Sequence, residues 1–243
     1  TNVGAPAIDQ VLLFSGGADS LAGAVQTALV EKRNVALISH RSSPKRTKKV
    51  DELAAEIIKR ASPRTVQHVA VWATKSEKVG REFTQRSRSF LYSAFATTVA
   101  SMLGLDRVHF YENGVTSMNM PIAEQVVGGR ATRTTHPQTI AGFSRLFSLI
   151  LDKTFRVETP FLWKTKTEIM RVSKDAGCSD LLAHTVSCSR TVAATKLHTH
   201  CGRCSQCIDR RFAALAAGLD DKEDPPEMYK VDLLAGERAP GED

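Results

Sequence analysis

The chain has 243 residues, 42% hydrophobic and 24% charged, with a formal charge of +7. These values fit a globular domain with at most a small appendage, and they exclude disorder, collagen and coiled coil as descriptions of the whole. No apolar run approaches the roughly 18–20 residues that cross a bilayer. Thr1 to Gln10 carries no signal-peptide pattern, and a chain this long needs no disulfide scaffold. It begins with Thr and not Met, so the expectation is a domain cut from a longer chain.

In chain order, Val11-Leu12-Leu13-Phe14 is a continuous apolar run, as in a buried parallel strand. Ser15-Gly16-Gly17-Ala18-Asp19-Ser20 follows, then a helical pattern at Leu21, Ala24, Val25, Ala28 and Leu29 that ends at Asn34. Val35 to Ile38 predicts a second strand, Lys48 to Arg60 an amphipathic helix and Val66 to Trp72 a third strand. Phe83 to Leu103 predicts a long helix and Arg107 to Tyr111 a fourth strand. Gly128-Gly129 and Thr132 to Pro137 read as loop, part of a substrate lid. Ile140 to Leu151 is helical again, Phe155 to Glu158 a short strand, and Lys166 to Ala176 a helix ending at Gly177. Past Asp220 the acidic segment has few packing residues, and partial disorder is expected there.

This alternation predicts an α/β fold, a doubly wound parallel sheet with helices on both faces. The loops after Phe14, Ile38 and Tyr111 should line one crevice at the carboxyl edge. The domain expectation is a nucleotide-binding unit over 1–177, a metal-binding element with a closing helix over 178–218, and an acidic tail over 219–243.

Charge is uneven. Glu31 to Arg88 is rich in Lys and Arg, including Lys32, Arg41, Lys45, Arg46, Lys48 and Lys49. A basic face implies an anionic partner, nucleotide phosphate or nucleic acid, although Lys45 to Lys49 alone also suits a solvated helix face.

In Ser15 to Ser20 the strand–loop–helix context turns backbone N–H groups and a helix dipole toward an anion. The glycines permit close approach and the serines donate hydroxyls, so Ser15, Gly16, Gly17, Asp19 and Ser20 are candidate nucleotide contacts. Ile38, Glu112 and Asn113 join them from the neighbouring strand ends. Asp19 repels phosphate by itself; it either orients the loop or holds Mg²⁺. A plain capped turn is the alternative. The pattern resembles the loop of the PP-loop ATP pyrophosphatases, a HUP-like fold, and lacks the Gly-Lys-Ser/Thr of Walker A.

Four of the five cysteines lie within Cys188 to Cys207, and that crowding favours a metal site in a reducing compartment, with cytoplasm the default. Cys188, Cys201, Cys204 and Cys207 supply four thiolates, enough to close a structural Zn²⁺ shell. His198 or His200 in place of Cys188, and an iron–sulfur cluster, stay open as alternatives. Cys178 reads as a packed thiol.

Ser187-Cys188 with Cys201-Gly202-x-Cys204-x-x-Cys207 and Arg210 resembles the C-terminal motif of 7-cyano-7-deazaguanine synthases, the QueC type. Pro160 to Ile169 and Arg86 to Leu91 resemble two further segments of that family, in the same order. The resemblance implies ATP-dependent adenylation of the 7-carboxy-7-deazaguanine carboxylate, attack by ammonia, and dehydration of the amide to a nitrile. It implies Lys166 and Arg86 or Arg88 as cations offsetting the triphosphate.

The chain departs from that family after the fourth strand, with Glu112-Asn113-Gly114, then Met118 to Pro121, then Thr135-His136-Pro137. Glu112 is suited to accept from a guanine-like N1–H and exocyclic amine, or to orient its own loop. These departures resemble QueC-like proteins of bacterial anti-phage islands. That resemblance implies a protein amine as an alternative acceptor and a partner protein of a defence system. His136 is a candidate base for the amine, the alternative being a plain backbone hydrogen bond. Two rival readings are a PP-loop tRNA-modifying enzyme, with the basic region on RNA phosphates, and a non-catalytic nucleotide- or deazapurine-binding module.

Overall fold

The computed structural model describes residues 7–41, 44–73, 87–118, 134–189, 195, 197–232 and 234. Five parallel strands form one sheet: β1 (Gln10–Leu13), β2 (Val35–His40), β3 (Val66–Val71), β4 (Arg107–His109) and β5 (Arg156–Glu158), in the order β3-β2-β1-β4-β5. The register pairs Leu12 with Leu37 and with His109. Strand order reverses between β1 and β4, and the loops after these strands part there, leaving the crevice in which such sheets bind ligands.

All four residues of β1 are buried because both faces of the sheet are covered. Side chains alternate across the pleat. Leu12, Phe14 and Leu37 enter a core with α1 (Ala18–Ala24), α2 (Pro44–Ala61), α6 (Lys166–Asp175) and α7 (Ser205–Ala216). Val11, Leu13, Ala36 and Ile38 enter the opposite core with α3 (Arg88–Met102) and α5 (Pro137–Leu151). A short α4 (Gly114–Met118) follows β4. The doubly wound parallel sheet expected from the strand–helix alternation is the observed architecture, and it is consistent with a PP-loop fold.

Element boundaries differ where packing or capping overrides the apolar pattern. The first predicted helix is α1 followed by a π-helical turn, Val25–Val30. Gly23 there faces the Tyr111 ring, where a Cβ would lie 2.2 Å from the nearest ring atom. The long helix expected from Phe83 begins, among the described residues, at Arg88. The α5 helix starts before Ile140 because His136 caps it and Pro137 presets its first turn.

The segment after Asp220 corrects the expectation of few packing residues. Met228 and Tyr229 are buried against the cysteine cluster. Asp224 is buried between Arg210 and Arg211, accepting at 3.0 Å from each. Arg210 is fully buried and also donates to Leu182 O and Thr185 Oγ1, which joins the segment after α6 to α7. The burial of Asp224 has no local signal because its partners, Arg210 and Arg211, stand fourteen and thirteen residues upstream. Residues 235–243 lie outside the described residues.

Candidate functional site

Loop 15–17 leaves β1 at the switch point and starts α1. Gly16 has φ +76°, and a Cβ there would meet Val50 Cγ2 of α2 at 2.7 Å, so this position requires glycine twice over. Val186 N donates to Gly16 O at 3.0 Å. Ser20 Oγ donates to Gly17 O and lies 3.3 Å from Ser15 Oγ, so the hydroxyls brace the loop. Gly17 caps α1 without a side-chain acceptor, which leaves the helix N-terminus to an anion.

Asp19 is buried one turn into α1. Lys166 Nζ donates to its Oδ1 at 2.6 Å, and Asn113 Nδ2 and N donate to its Oδ2 at 2.8 and 3.3 Å. Both oxygens therefore tie the loop after β1 to the loop after β4 and to the start of α6, the geometry of an orienting carboxylate. Asn113 Oδ1 in turn accepts from Thr116 N.

The Thr-Lys-x-Glu-Ile segment has a local physical reason. Thr165 caps α6: its Oγ1 accepts from Glu168 N, and Glu168 Oε2 accepts from Thr165 N at 2.6 Å. This reciprocal box fixes the helix start, and Lys166, its first residue, points inward to Asp19. Bonds from Thr165 hold the Glu168 carboxyl below its usual range.

Glu112 borders the same space. Thr135 Oγ1 donates to Glu112 Oε2 and lies 3.2 Å from Ser117 Oγ. Two of the three segments expected to depart from the synthases thus meet. Burial pushes the Glu112 carboxyl up, opposed by the Thr135 bond; Asp19 pushes it up further, while Lys166 and Arg88 pull it down. The neighbouring His136 caps α5, its Nδ1 accepting from Gln138 N at 3.2 Å.

Arg88 lies at the mouth of α3, donating from Nε and Nη2 to Tyr92 Oη. Ile38 is buried at the crevice floor, its carbonyl accepting from Phe14 N. Arg86 lies outside the described residues, as do Asn119 to Pro121 and Gly128-Gly129. Two partnerships in this site were not readable from the sequence. Thr135 holds Glu112. Asp209 of α7 has its carboxyl pushed up by burial, with Lys166 lowering and Asp19 raising it, so it shares their field. Thr135 belongs to the Thr135-His136-Pro137 segment but its partner does not follow from it, and Asp209 carries no local motif; packing brings both here.

The four cysteines converge as expected. The Sγ atoms of Cys188, Cys201, Cys204 and Cys207 all lie within 4.8 Å of one another. Cys188–Cys204 and Cys201–Cys207 are 3.9 Å apart, and Cys204–Cys207 3.3 Å. A tetrahedron with Zn–S of about 2.3 Å has S···S edges of about 3.8 Å, so the donor set fits such an ion. Cys204 also caps α7, where the helix dipole favours a thiolate. The Cys207 hydrogen bond holds the Cys204 thiol down, while the same contact and burial push Cys207 up. The histidines are engaged elsewhere: His200 Nε2 accepts from Ser187 N, and His198 Nδ1 lies 2.9 Å from Glu227 O. Cys178 is buried apart from the cluster.

The family model described as Queuosine biosynthesis protein QueC matches residues 123–218. The chain is 31% identical over 96 residues to a 7-cyano-7-deazaguanine synthase of Methanocaldococcus jannaschii, covering 36% of this chain and 40% of that one. It is 32% identical over 126 residues to a 7-cyano-7-deazaguanine synthase of Paracoccus denitrificans, covering 49% and 50% respectively. The matches thus span half or less of these curated relatives. The region matched by the family model includes Lys166, its capping box and all four clustered cysteines, and over residues 123–218 the chain is similar to QueC.

Proposed function

We propose that the chain activates the carboxylate of a 7-carboxy-7-deazaguanine-type ring with ATP and passes the acyl group to a nitrogen nucleophile. The observation that carries this reading is the convergence, at one switch point, of an uncapped glycine-loop helix, the Asp19–Lys166–Asn113 cluster and the Glu112–Thr135 pair. The printed names of the two relatives support the substrate class.

A carboxylate oxygen attacks the α-phosphorus, pyrophosphate leaves, and the acyl adenylate forms. Ammonia or an amine then attacks the acyl carbon and AMP leaves, giving an amide. With ammonia, the oxygen of the primary amide attacks a second ATP and pyrophosphate leaves; AMP then departs with that oxygen as nitrogen loses its protons, giving a nitrile. Gly16, Gly17 and the α1 N-terminus receive the phosphates, and Lys166, Arg88 and Arg86 offset their charge. Both Asp19 oxygens are already engaged, so in this reading Mg²⁺ arrives on the nucleotide's own phosphates.

Glu112, aimed by Thr135, accepts the paired donors of the guanine-like edge. His136 takes the proton of the attacking amine through Nε2, the nitrogen not used for capping. The four thiolates hold Zn²⁺ structurally, with no open position for chemistry. In a second reading, supported by the resemblance of Glu112-Asn113-Gly114 and Thr135-His136-Pro137 to the defence-type branch, the acceptor is a protein amine.

The test is mass spectrometry of protein and small-molecule products after incubation with ATP, Mg²⁺ and 7-carboxy-7-deazaguanine, with and without ammonium. AMP formation that depends on the acid is expected, and a nitrile or a protein-linked mass then identifies the acceptor. Absence of acid-dependent nucleotide turnover would sink the proposal.

A further inference from the structure

The segment Thr185 to Cys188 leaves the 3₁₀ turn after α6 (Ser179–His184) and enters the cysteine cluster. On its way it touches the glycine loop, where Val186 N donates to Gly16 O at 3.0 Å. Gly16 O and Gly17 N belong to one planar trans peptide and point to opposite sides of it. Holding the oxygen on the Val186 side therefore turns the Gly17 N–H the other way, at the open N-terminus of α1. That N–H makes only a long contact, 3.4 Å, with Ser15 Oγ. The aim of the loop thus depends on where Val186 stands.

The next amide along the segment is fixed by a histidine. Ser187 N donates to His200 Nε2 at 3.1 Å, and His200 is 1% exposed. Since Nε2 accepts, the ring proton is on Nδ1, and Thr199 Oγ1 accepts it at 2.9 Å. His200 is held in turn by the segment after Asp220. Its N donates to Met228 O at 2.9 Å, its O accepts from Lys230 N at 2.8 Å, and its ring packs 5.2 Å from the Tyr229 ring. The four cysteine sulfurs close on one another without it. Arg210 grips the same segment through side chains, Thr185 Oγ1 at 2.5 Å and Ser187 Oγ at 3.5 Å. His200 grips the backbone, one amide from the one that holds Gly16.

We infer that His200 is a positioning residue for the glycine loop. By holding Ser187 N it sets Val186 N against Gly16 O, and so aims the Gly17 amide at a phosphoryl oxygen of the nucleotide. The inference rests on the nucleotide reading above for the ligand of the loop; the coupling of His200 to the loop stands on the hydrogen bonds alone.

The experiment compares wild type, His200→Ala, His200→Gln and His200→Asn as full, zinc-loaded chains. A Gln amide oxygen reaches the position of Nε2 and an Asn oxygen only that of Nδ1, so Gln keeps an acceptor for Ser187 N and Asn loses it at similar polarity. Mg·ATP affinity is measured by calorimetric titration, amide hydrogen exchange over residues 15–20 by mass spectrometry of the unliganded proteins, and zinc by elemental analysis. His200→Ala and His200→Asn should bind Mg·ATP about tenfold more weakly, the scale of one buried hydrogen bond, and should exchange faster over the loop. His200→Gln should match wild type in both, and all four proteins should keep their zinc. Loop exchange and affinity unchanged in His200→Ala, or equally impaired in His200→Gln and His200→Asn, overturn the inference. Zinc loss in every variant that loosens the loop overturns it too, since the effect would then come through the metal site. Wild type that binds no Mg·ATP rejects the nucleotide reading, and loop exchange then decides the coupling of His200 by itself.

Discussion

Replacing Lys166 with Met removes the charge that faces Asp19 and keeps most of the side-chain volume. The two side chains are 6% and 11% exposed and 2.6 Å apart, so this is a buried pair. Breaking such a pair costs about 3–5 kcal/mol, because a charge is left without its partner. Asn113 still donates twice to Asp19, which places the expectation near the lower end, about 3 kcal/mol. At about 2–4 °C per kcal/mol for a chain of this size, the melting temperature should fall by about 6–12 °C. Urea unfolding followed by circular dichroism gives the free energy directly. In a cycle with Asp19→Asn, the double variant should recover stability relative to Lys166→Met, with a coupling of at least about 2 kcal/mol. It should recover no turnover, because the loop and the phosphates still lack their cation. A Lys166→Met loss below about 1 kcal/mol, or an additive cycle, would refute the buried-pair argument.

Glu112→Gln should stabilise the protein at pH 7.5 and hardly at all at pH 4. The folded-state carboxyl is raised above its ordinary value, so its protonated form stabilises the fold at low pH, and that contribution is lost as pH rises through the raised value. Melting curves at the two pH values check this, and equal gains at both would contradict it. Thr135→Val should leave Glu112 without its donor and impair turnover, while Thr135→Ser restores it; steady-state kinetics with the deazaguanine acid separates the two. Gly202 has φ +79° and would place a Cβ 1.9 Å from Val231 O, so Gly202→Ala should cost about 1–3 kcal/mol by denaturation. Elemental analysis should find one zinc per chain, reduced by Cys188→Ser and retained in His198→Ala.

Much of the sheet was legible because its information is local. A buried parallel strand needs a continuous apolar run, a helix a 3.6-residue period, and a glycine loop between them a conformation few other residues reach. The cysteine cluster was legible for the same reason, since ligand spacing within Cys201 to Cys207 is a property of one short segment. The Thr165–Glu168 box, too, can be read from three residues' separation, and it places Lys166 at a helix start before any tertiary contact forms.

What the sequence could not supply is which distant groups share a charge or a hydrogen bond. Asp19 and Lys166 are 147 positions apart, and their pairing depends on where the α6 helix docks. Thr135 finds Glu112 across 23 positions, and Asp224 finds Arg210 across 14. In an acidic segment expected to have few packing residues, Asp224 is buried because its carboxylate has a buried guanidinium to meet. Periodicity and spacing record how a segment satisfies its own backbone and buries its own face. Pairing of polar groups depends on the geometry with which whole elements pack, and that is set only once the two hydrophobic cores close on the sheet.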